Sequence, residues 1–490
     1  MAETRRFANL AGRSELKAAN NLGTVLMDSL SKKNKYRKKS LEVLDAYYEC
    51  RQYAGKPEWN ASKNSDNEYI PVRDRKPRMQ FAFARLLASR LAAKLVGSRT
   101  FPRIQVEDDP DTEDFFRVIK RQSMATAMLV EPIRRTLIAG SSFVRFQIVN
   151  GQYKMEHYLS KWCYPLFDAG GSLESIEIKY IYSDEQDLDE KGQPKRKWFK
   201  LQLGKFTDIL FDNPEAKDDD SEPEFKIVAT ADHNFGFVQG EWFRTTLVPN
   251  SVDGDSLIEP VLSFIDELNY SLSQSSQAVE YNQDPQLVIN ELDEEELDTL
   301  IRSSQKAWNL GKQGKAEFLE AGMSGVEAAE KLRDKVRLNI SDITRVLLLD
   351  PEKMIGQAQS GEALKVLYGP MLELIEELRP MIEKSLISLF LKMALATLLF
   401  DKRGGDVPIT IPPGYVPQSL NITLSWPEIF PPTLDDIQKK VSIASSASNA
   451  NLISRETMTR WLSKEFGIED IEEELQKIAS QPVINPFGGF

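Results

Sequence analysis

The stretch Ser360-Gly361-Glu362-Ala363-Leu364-Lys365-Val366-Leu367-Tyr368 opens a very long apolar pattern in this chain of 490 residues. Ser360 stands where a helix N-cap is expected, because a serine hydroxyl can accept a hydrogen bond from the first turn. Apolar residues then recur every three or four positions, which predicts one buried helix face. The residues of this stripe are Leu364, Leu367, Met371, Leu374, Leu378, Ile382, Leu386, Leu389 and Met393.

Two prolines, Pro370 and Pro380, interrupt the pattern without ending it. An interior proline costs about 3 kcal/mol unless the surrounding packing compensates. We therefore predict a long kinked helix over residues 360–401, held in place by its neighbours.

A loop is predicted immediately before this helix, over residues 348–359. Pro351 stops the preceding helix and Gly356 adds conformational freedom. The preceding helix, over residues 321–347, has an apolar stripe at spacings of three and four. The residues of that stripe are Ala329, Leu332, Val336, Ile340, Ile343 and Leu347.

Another helix is predicted upstream, over residues 255–284. Its apolar stripe runs from Val261 to Leu272, while the rest of its surface is polar and uncharged. The insert between the two helices, residues 285–320, is predicted as a strand, an acidic helix and a second strand. Two amphipathic helices followed by a loop are typical of a structural component of an assembly rather than of a catalytic domain.

The first 254 residues begin with helical patterns and change to a period of two. Helices are predicted over 79–96 and over 124–138, the second ending at Gly140. Alternating residues follow from Phe143, and Asn150-Gly151 is a strong hairpin turn signal. Further strands are predicted over 175–182, 197–203 and 225–229, with polar loops over 184–194 and 213–223. The fold class is therefore α+β, with an antiparallel sheet.

The remaining residues, 402–490, begin with a proline-rich linker. A strand is predicted over 422–426, followed by helices over 434–446, 454–466 and 469–479.

Composition limits the possible functions. The net charge is −12, which argues against a protein that wraps nucleic acid over its whole surface, since that requires many cations. The two cysteines, Cys50 and Cys163, make a disulfide framework very improbable. The apolar segment 385–400 contains Lys392 and is shorter than the roughly 20 residues of a membrane span. The N-terminus shows no apolar signal region, and no membrane association is expected.

No motif predicts catalysis. Gly311 to Lys315 is glycine-rich but lacks the strand and helix of a phosphate-binding loop, so we interpret it as a turn. His157 and His233 are isolated in sequence and are interpreted as structural or surface residues. The acidic run Asp218-Asp219-Asp220 is interpreted as a solvated loop. We therefore predict no enzyme activity, no metal site and no cofactor.

Taken in order, these segments resemble the portal proteins, or head-to-tail connectors, of tailed bacteriophages of the siphophage type. The resemblance covers most of the chain and depends on the order of individually weak motifs. These motifs are Leu137–Val144 (helix, glycine, strand), Tyr164–Leu173 (aspartate turn before a strand), Asp255–Pro260 (start of the first stem helix), Ser360–Lys365 (start of the long helix) and Ile453–Thr457 (C-terminal crown).

The resemblance implies a portal-type fold: an α+β wing, a two-helix stem, a small α/β clip, a long kinked helix and a helical crown. The corresponding ranges are wing 1–254, stem helix 1 255–284, clip 285–320, stem helix 2 321–347, tunnel loop 348–359, long kinked wing helix 360–401 and crown region 402–490.

The resemblance also implies a function. A cyclic ring, usually of twelve subunits, is expected at one capsid vertex of the virion, after assembly in the host cytoplasm. Double-stranded DNA would pass through the ring transiently and without sequence specificity during packaging and ejection. The implied protein partners are the large terminase subunit, capsid and scaffolding proteins and a head-tail adaptor protein.

Three groups of site residues follow from the resemblance. The tunnel loop would face DNA through Leu349, Asp350, Glu352, Lys353, Met354, Gln357 and Gln359. The stem would line the channel with Lys331, Lys335 and Arg345, which can instead form ion pairs with Glu327, Glu330 or Asp334 at helical contact spacing. The clip would offer Lys306, Trp308, Lys312 and Lys315.

Alternatives remain at this stage. The basic run Lys32 to Lys39 can contact nucleic acid or scaffold, or it can be a solvated helix face. The whole chain can also be a different capsid-associated adaptor without a central opening. A metal-dependent nuclease acting through N-terminal carboxylates is the third possibility.

Overall fold

The computed structural model describes residues 34–106, 109–283, 286–290, 315–319, 324–348, 366–409, 422–427, 429, 434–450, 452–466 and 471–480. The chain divides into two compact units. Unit 1 comprises Met1–Leu348 with Met371–Pro427, and unit 2 comprises Leu349–Pro370 with Glu428–Phe490.

Unit 1 begins with helices that pack beside the first strands. They are α1 (34–48), α2 (Phe83–Val96), α3 (Pro110–Gln122), α4 (Ala125–Met128) and α5 (Val130–Ala139). The side chain of Asp109 accepts a hydrogen bond from Thr112 N and so caps α3, as its position before Pro110 suggests. Gly140 ends α5 with a left-handed φ of 78°, which confirms the predicted helix end.

Two helix predictions need correction. The helix predicted from residue 79 starts at Phe83, because Met79 N donates to Ser273 Oγ and Phe81 N donates to Asn269 Oδ1. Those bonds hold residues 79–81 outside the helical ladder. The helix predicted over 124–138 is divided into α4 and α5, which are separate helices on either side of Leu129.

Antiparallel sheets follow the helices, which confirms the α+β prediction. The strands are β1 (Arg103–Val106), β2 (Ser141–Val149), β3 (Gln152–Leu159), β4 (Cys163–Phe167), β5 (Leu173–Leu188), β6 (Pro194–Gly204), β7 (Thr207–Phe211), β8 (Ile227–Asp232) and β9 (Gly240–Arg244). One sheet has the order β3-β2-β9 and the other the order β4-β5-β6-β7-β8. The hairpin predicted at Asn150-Gly151 joins β2 to β3 through two left-handed residues.

The second sheet is larger than predicted. The segment 184–194 was expected to be a loop, but β5 continues to Leu188 with a register shift between Asp184 and Leu188. Strand β7 was missed entirely. The core of this region lies between the sheets and includes Phe143, Cys163, Ile176, Ile178, Leu203 and Trp242.

Two long helices flank a strand pair. They are α6 (Leu262–Gln283) and α7 (Ser324–Thr344), and the strands are β10 (Gln286–Asn290) and β11 (Lys315–Leu319). The predicted strands of the 285–320 insert therefore exist and are antiparallel, whereas its predicted helix lies outside the described residues. Helix α6 starts at 262 rather than 255, because Leu257 N donates to Leu137 O and keeps the preceding residues in a loop.

The long helix α8 spans Gly369–Lys402. Pro380 lies inside it, as predicted, but Pro370 is its second residue and so cannot kink it. Proline is tolerated in a first turn because the N–H it lacks has no helical partner there. The predicted stripe from Met371 to Met393 is buried, and residues 360–365 lie outside the described residues.

Strand β12 (Ile422–Ser425) pairs with β1, so this part of the C-terminal region belongs to unit 1. Unit 2 contains α9 (Leu434–Asn449), α10 (Arg455–Phe466) and α11 (Ile471–Ser480). Ser454 caps α10 by accepting from Thr457 N at 3.1 Å.

Candidate functional site

The polar side of α6 is covered by an earlier part of the same chain. Asn269 is fully buried; its side chain accepts from Phe81 N at 2.8 Å and donates to Tyr53 Oη at 3.1 Å. Ser273, also fully buried, accepts from Met79 N at 3.0 Å. Asn269 and Ser273 therefore hold parts of the segment 53–81 in place through their hydrogen bonds to Tyr53, Met79 and Phe81.

A partly buried carboxylate strengthens this attachment. Asp266 of α6 accepts hydrogen bonds from Tyr47 Oη and Tyr53 Oη, both at 2.6 Å. Burial and the hydrogen bond to Asp266 raise the pKa of both tyrosines well above the usual range. Both phenols therefore stay protonated as donors, and α6 is tied to α1 and to the segment that follows it.

Helix α7 exposes much of its apolar stripe in the single chain. Val336 and Ile340 are buried at 6% and 0% exposure. Leu332, Leu338 and Ile343, in contrast, are 47%, 64% and 45% exposed. Leu332 and Ile343 lie about three turns apart on the same side of the helix, which is typical of an association surface, whereas Leu338 lies on the side of Lys331 and Lys335.

Two of the predicted channel residues, Lys331 and Lys335, lie on the exposed surface of α7. In the described part of the chain neither ammonium group has a carboxylate partner within ion-pair distance. The nearest ion pair on this helix joins Arg333 to Glu330 at 3.9 Å. These two lysines are therefore available for contacts outside the single chain.

Arg345, the third predicted channel residue, is placed differently. It follows the last residue of α7 and has a left-handed φ of 55°. Its guanidinium donates to both carboxylate oxygens of Glu377 on α8, at 2.8 and 2.6 Å. The pair lowers the pKa of Glu377 and raises that of Arg345. Arg345 is therefore paired, but with α8 rather than with the acidic residues of its own helix.

Most residues of the predicted tunnel loop and clip lie outside the described residues. These are Leu349, Asp350, Glu352, Lys353, Met354, Gln357 and Gln359 of the loop, and Lys306, Trp308 and Lys312 of the clip. Lys315 is the first residue of β11, opposite Asn290 of β10.

The basic run near the N-terminus contains a largely buried structural residue, Arg37, which the sequence did not distinguish from its neighbours. Arg37 donates to both oxygens of Asp253, at 2.6 and 2.8 Å, and to Cys163 O at 2.8 Å. Helical spacing could have identified it, because Arg37 precedes Leu41 and Leu44 by four and seven positions and both leucines are buried. The neighbouring Lys35, Lys38 and Lys39 are exposed or partly exposed.

A second charged cluster joins α1 to α5. Arg135 contacts Asp45, Glu49 and Glu131, and Lys161 also contacts Asp45. Asp45 is 8% exposed. With Arg37, this cluster fixes the orientation of α1 against the sheet region.

A cavity of about 670 Å³ lies in the sheet region, lined by residues of β2, β3, β5 to β8 and the end of α8. Arg145 faces Glu156 at 3.3 Å and Asp208 at 3.5 Å, and His233 Nε2 lies 3.3 Å from Asp208 Oδ1. Burial raises the pKa of Asp208, although His233 and Arg145 oppose the shift. His233 is thus packed beside the buried Asp208 rather than isolated, and Arg145 offsets the charge of that carboxylate.

The acidic run considered for a nuclease is largely exposed. Asp220 pairs with Arg196 at 2.6 Å, and Asp219 accepts from Ser221 N at 3.1 Å. Among the described residues, no three His, Cys, Asp or Glu side chains are grouped so that they could hold a metal ion. None of the helices in the described ranges has the length and apolarity that a membrane crossing requires.

Comparison with known proteins gives one strong match. The family model "Phage portal protein, SPP1 Gp6-like" matches residues 28–482. No curated protein matches significantly.

Solved structures that match the chain at low identity come from gene transfer agent (GTA) particles. "Virion of native gene transfer agent (GTA) particle" has a TM-score of 0.39, and "Neck of empty GTA particle computed with C6 symmetry" has 0.40. Each is 12% identical, with 78% of this chain and 88% of the other covered. "Neck of native GTA particle computed with C12 symmetry" has a TM-score of 0.36 at 12% identity, with 77% and 88% covered. Because the family model spans nearly the whole chain, this protein belongs to the SPP1 Gp6-like family of phage portal proteins.

Proposed function

We propose that the chain assembles into a closed ring, of twelve subunits, at one vertex of a virus capsid. The observation that carries the proposal is the pair of exposed apolar residues Leu332 and Ile343, which lie about three turns apart on one face of α7. An apolar helix face of this kind is stabilised when a neighbour covers it. A cyclic ring provides such a neighbour, because each subunit offers two different patches. Membership of the portal family supports this arrangement.

The ring would be the channel for double-stranded DNA during packaging and ejection. The proposed parts keep the sequence-based ranges: wing 1–254, stem 255–284 and 321–347, clip 285–320, tunnel loop 348–359, long wing helix 360–401 and crown 402–490. The exposure of Lys331 and Lys335, without partners in the described chain, supports a position on the channel wall. A net charge of −12 would keep the polyanion from binding tightly, while scattered lysines would give weak, screened contacts.

The tunnel loop is proposed to touch DNA, with Lys353, Gln357 and Gln359 as polar contacts. Deletion of residues 349–359 should leave ring assembly intact and impair packaging or retention of DNA. Rings that lack the loop and still package normally would contradict this role.

The partners proposed for the ring are those of a portal vertex. The clip, with Lys306, Trp308, Lys312 and Lys315, would receive the large terminase subunit and later a head-tail adaptor protein. Capsid and scaffolding proteins would bind during assembly in the host cytoplasm, and the final location is the virion. We propose no enzymatic role: magnesium-dependent DNA cleavage that Asp220→Asn abolishes would contradict this.

The native mass of the purified protein tests the ring directly. Light scattering on a sizing column should give about 670 kDa, which is twelve times the 55.6 kDa chain. A mass within about one subunit of that value supports the proposal. A stable dimer or trimer would contradict it, because neither can enclose a DNA channel with this stem.

A further inference from the structure

The chain reverses direction at the end of α7 through a residue that is unusual in that position. Arg345 has φ 55°, in the left-handed region where glycine or asparagine normally ends a helix. An arginine there carries backbone strain that glycine would avoid. The side chain of Arg345, in return, makes a contact that a glycine could not make.

The side chain provides a two-pronged contact with α8. Its two terminal nitrogens lie 2.8 and 2.6 Å from the two oxygens of Glu377. A guanidinium and a carboxylate in this parallel arrangement combine charge attraction with a fixed relative orientation. The side chains are 35% and 61% exposed, so the pair adds little to global stability, and its effect must be local.

The three residues after Arg345 are also attached. Val346 is fully buried, Leu347 O accepts from Arg90 Nη1 of α2 at 2.6 Å, and Leu348 N donates to Ser341 Oγ at 3.0 Å. The chain of unit 1 is therefore fastened up to Leu348. It returns to unit 1 at Met371, at the start of α8.

We propose that Arg345 and Glu377 form a clasp that fixes the spacing between the end of α7 and the third turn of α8, in which Glu377 lies. The chain on either side of the segment 349–370 would then be held at a set separation. Arg345 and Glu377 are positioning residues in this view, and they act through the segment between them. The clasp bears on DNA handling only through the proposed function, which places the DNA-contacting loop in that segment.

Hydrogen exchange of the assembled full-length protein tests the clasp without DNA. Arg345→Asn keeps a residue that tolerates left-handed φ but removes the fork, and Glu377→Gln removes the charge. Amides of residues 346–348 should exchange about two- to fivefold faster in either variant. The double variant should exchange no faster than the singles, because all three lose the same interaction. Arg345→Lys, which keeps charge without the fork, should lie between.

Glu330→Gln is the matched control, because it removes the partner of Arg333 on the same helix and should leave these amides unchanged. Exchange at 346–348 that is equal to wild type in both Arg345→Asn and Glu377→Gln would overturn the clasp. Faster exchange together with a several-fold loss of DNA retention supports both the clasp and the DNA-contacting loop. Faster exchange with normal retention supports the clasp and contradicts its link to DNA handling, while deletion of the loop tests the DNA contact itself.

Discussion

Arg37 shows how much a single residue can differ from its neighbours in a charged run. Among the cations of this run that the structure describes, Lys35, Arg37, Lys38 and Lys39, only Arg37 is paired with a buried carboxylate, with exposures of 13% for Arg37 and 12% for Asp253. The composition of the run predicts a solvated or nucleic-acid-binding surface for every cation in it. Each side chain is buried or exposed according to the helix face on which it lies. Arg37 lies on the face of the buried Leu41 and Leu44, and the lysines do not.

Removal of the partner of Arg37 should be costly. Asp253→Asn leaves a buried guanidinium without its carboxylate, which we expect to lower the free energy of unfolding by about 3 kcal/mol. Urea unfolding followed by tryptophan fluorescence is a suitable measurement, because the Trp242 ring lies 5.9 Å from the guanidinium carbon. Glu42→Gln is the control: its contact with Lys38 is exposed and 3.9 Å long, so its loss should stay below about 0.5 kcal/mol. Equal losses of unfolding free energy in the two variants would show that the Arg37–Asp253 pair stabilises the protein no more than an exposed pair does.

His157 should make stability depend on pH. Its Nε2 has no hydrogen-bond partner, and burial lowers its pKa from 6.5 to about 4, with Arg135 assisting. The unfolded chain therefore takes up a proton at a higher pH than the folded chain does. Stability from this group is complete above about pH 6.5 and falls by up to about 1.4 kcal/mol per unit as pH decreases toward 4.

The measurement is the slope of the unfolding free energy between pH 6.5 and 4 in wild type and His157→Gln. The variant, which has no titrating group at this position, should show a shallower slope. Identical slopes would mean that His157 is protonated equally in both states.

Among the elements, those with a strong repeating pattern were predictable. The stripe of α8 and the Asn150-Gly151 hairpin each carry a local signal, because one face or one turn type dictates the residues. Strand β7 carries no such signal: Thr207–Phe211 is five residues long and follows a turn directly. The β1–β12 pairing depends on residues more than 300 positions apart, which no local pattern encodes.

The predicted site residues also divide into those that a local sequence pattern could place and those that it could not. Lys331 and Lys335 could be assigned to an exposed face from helical spacing alone. The partner of Arg345 could not, because Glu377 is on another helix and the contact depends on how α7 and α8 are packed. The burial of Asn269 and Ser273 was also hidden, since polar residues on a helix are expected to face water unless a second segment binds them.

The joint between α5 and β2 gives a sharp test of backbone packing. Gly140 and Gly171 both have φ 78°, but a Cβ at Gly140 would overlap the carbonyl of Gly254, whereas Gly171 has nothing within 4 Å. Gly171→Ala should cost about 1–2 kcal/mol, the price of left-handed alanine. Gly140→Ala adds the overlap and should cost several kcal/mol more or prevent folding.

Thermal unfolding and soluble yield of the two alanine variants measure this difference. Since the backbone angle is the same, any excess in Gly140→Ala reports the close approach of residue 254. Similar melting temperatures for both variants would contradict that approach.

At the scale of the whole molecule, the family membership and the exposed apolar face of α7 both indicate assembly with other subunits rather than catalysis. The order of the segments along the sequence was enough to indicate the portal family, although no single motif was decisive. The exposed fractions of Leu332 and Ile343 could only come from the folded chain, because a periodic stripe does not tell how much of it the same chain covers.

Substitution on that face should break the ring and spare the fold. Leu332→Glu places a charge where a neighbouring subunit would pack, so we expect the native mass to fall from the assembled value to that of smaller species. Circular dichroism should stay unchanged, because Leu332 is 47% exposed in the single chain. Leu247→Glu, at a side chain that is 62% exposed elsewhere, is the control and should assemble normally. Assembly of the Leu332 variant at full mass would exclude this face from the interface.

The pairing of β1 with β12 also has a consequence for synthesis. Gln105 and Thr423, which face each other in this ladder, are 318 positions apart. Ribosomes add about 5–20 residues per second, so β1 waits roughly 15–60 s for its partner to be translated. During that time its edge is open on a growing polypeptide, and nascent chains on one message are close together. The vulnerable period of this protein is therefore its own translation, when a chaperone that shields β1 would raise the yield of folded subunits.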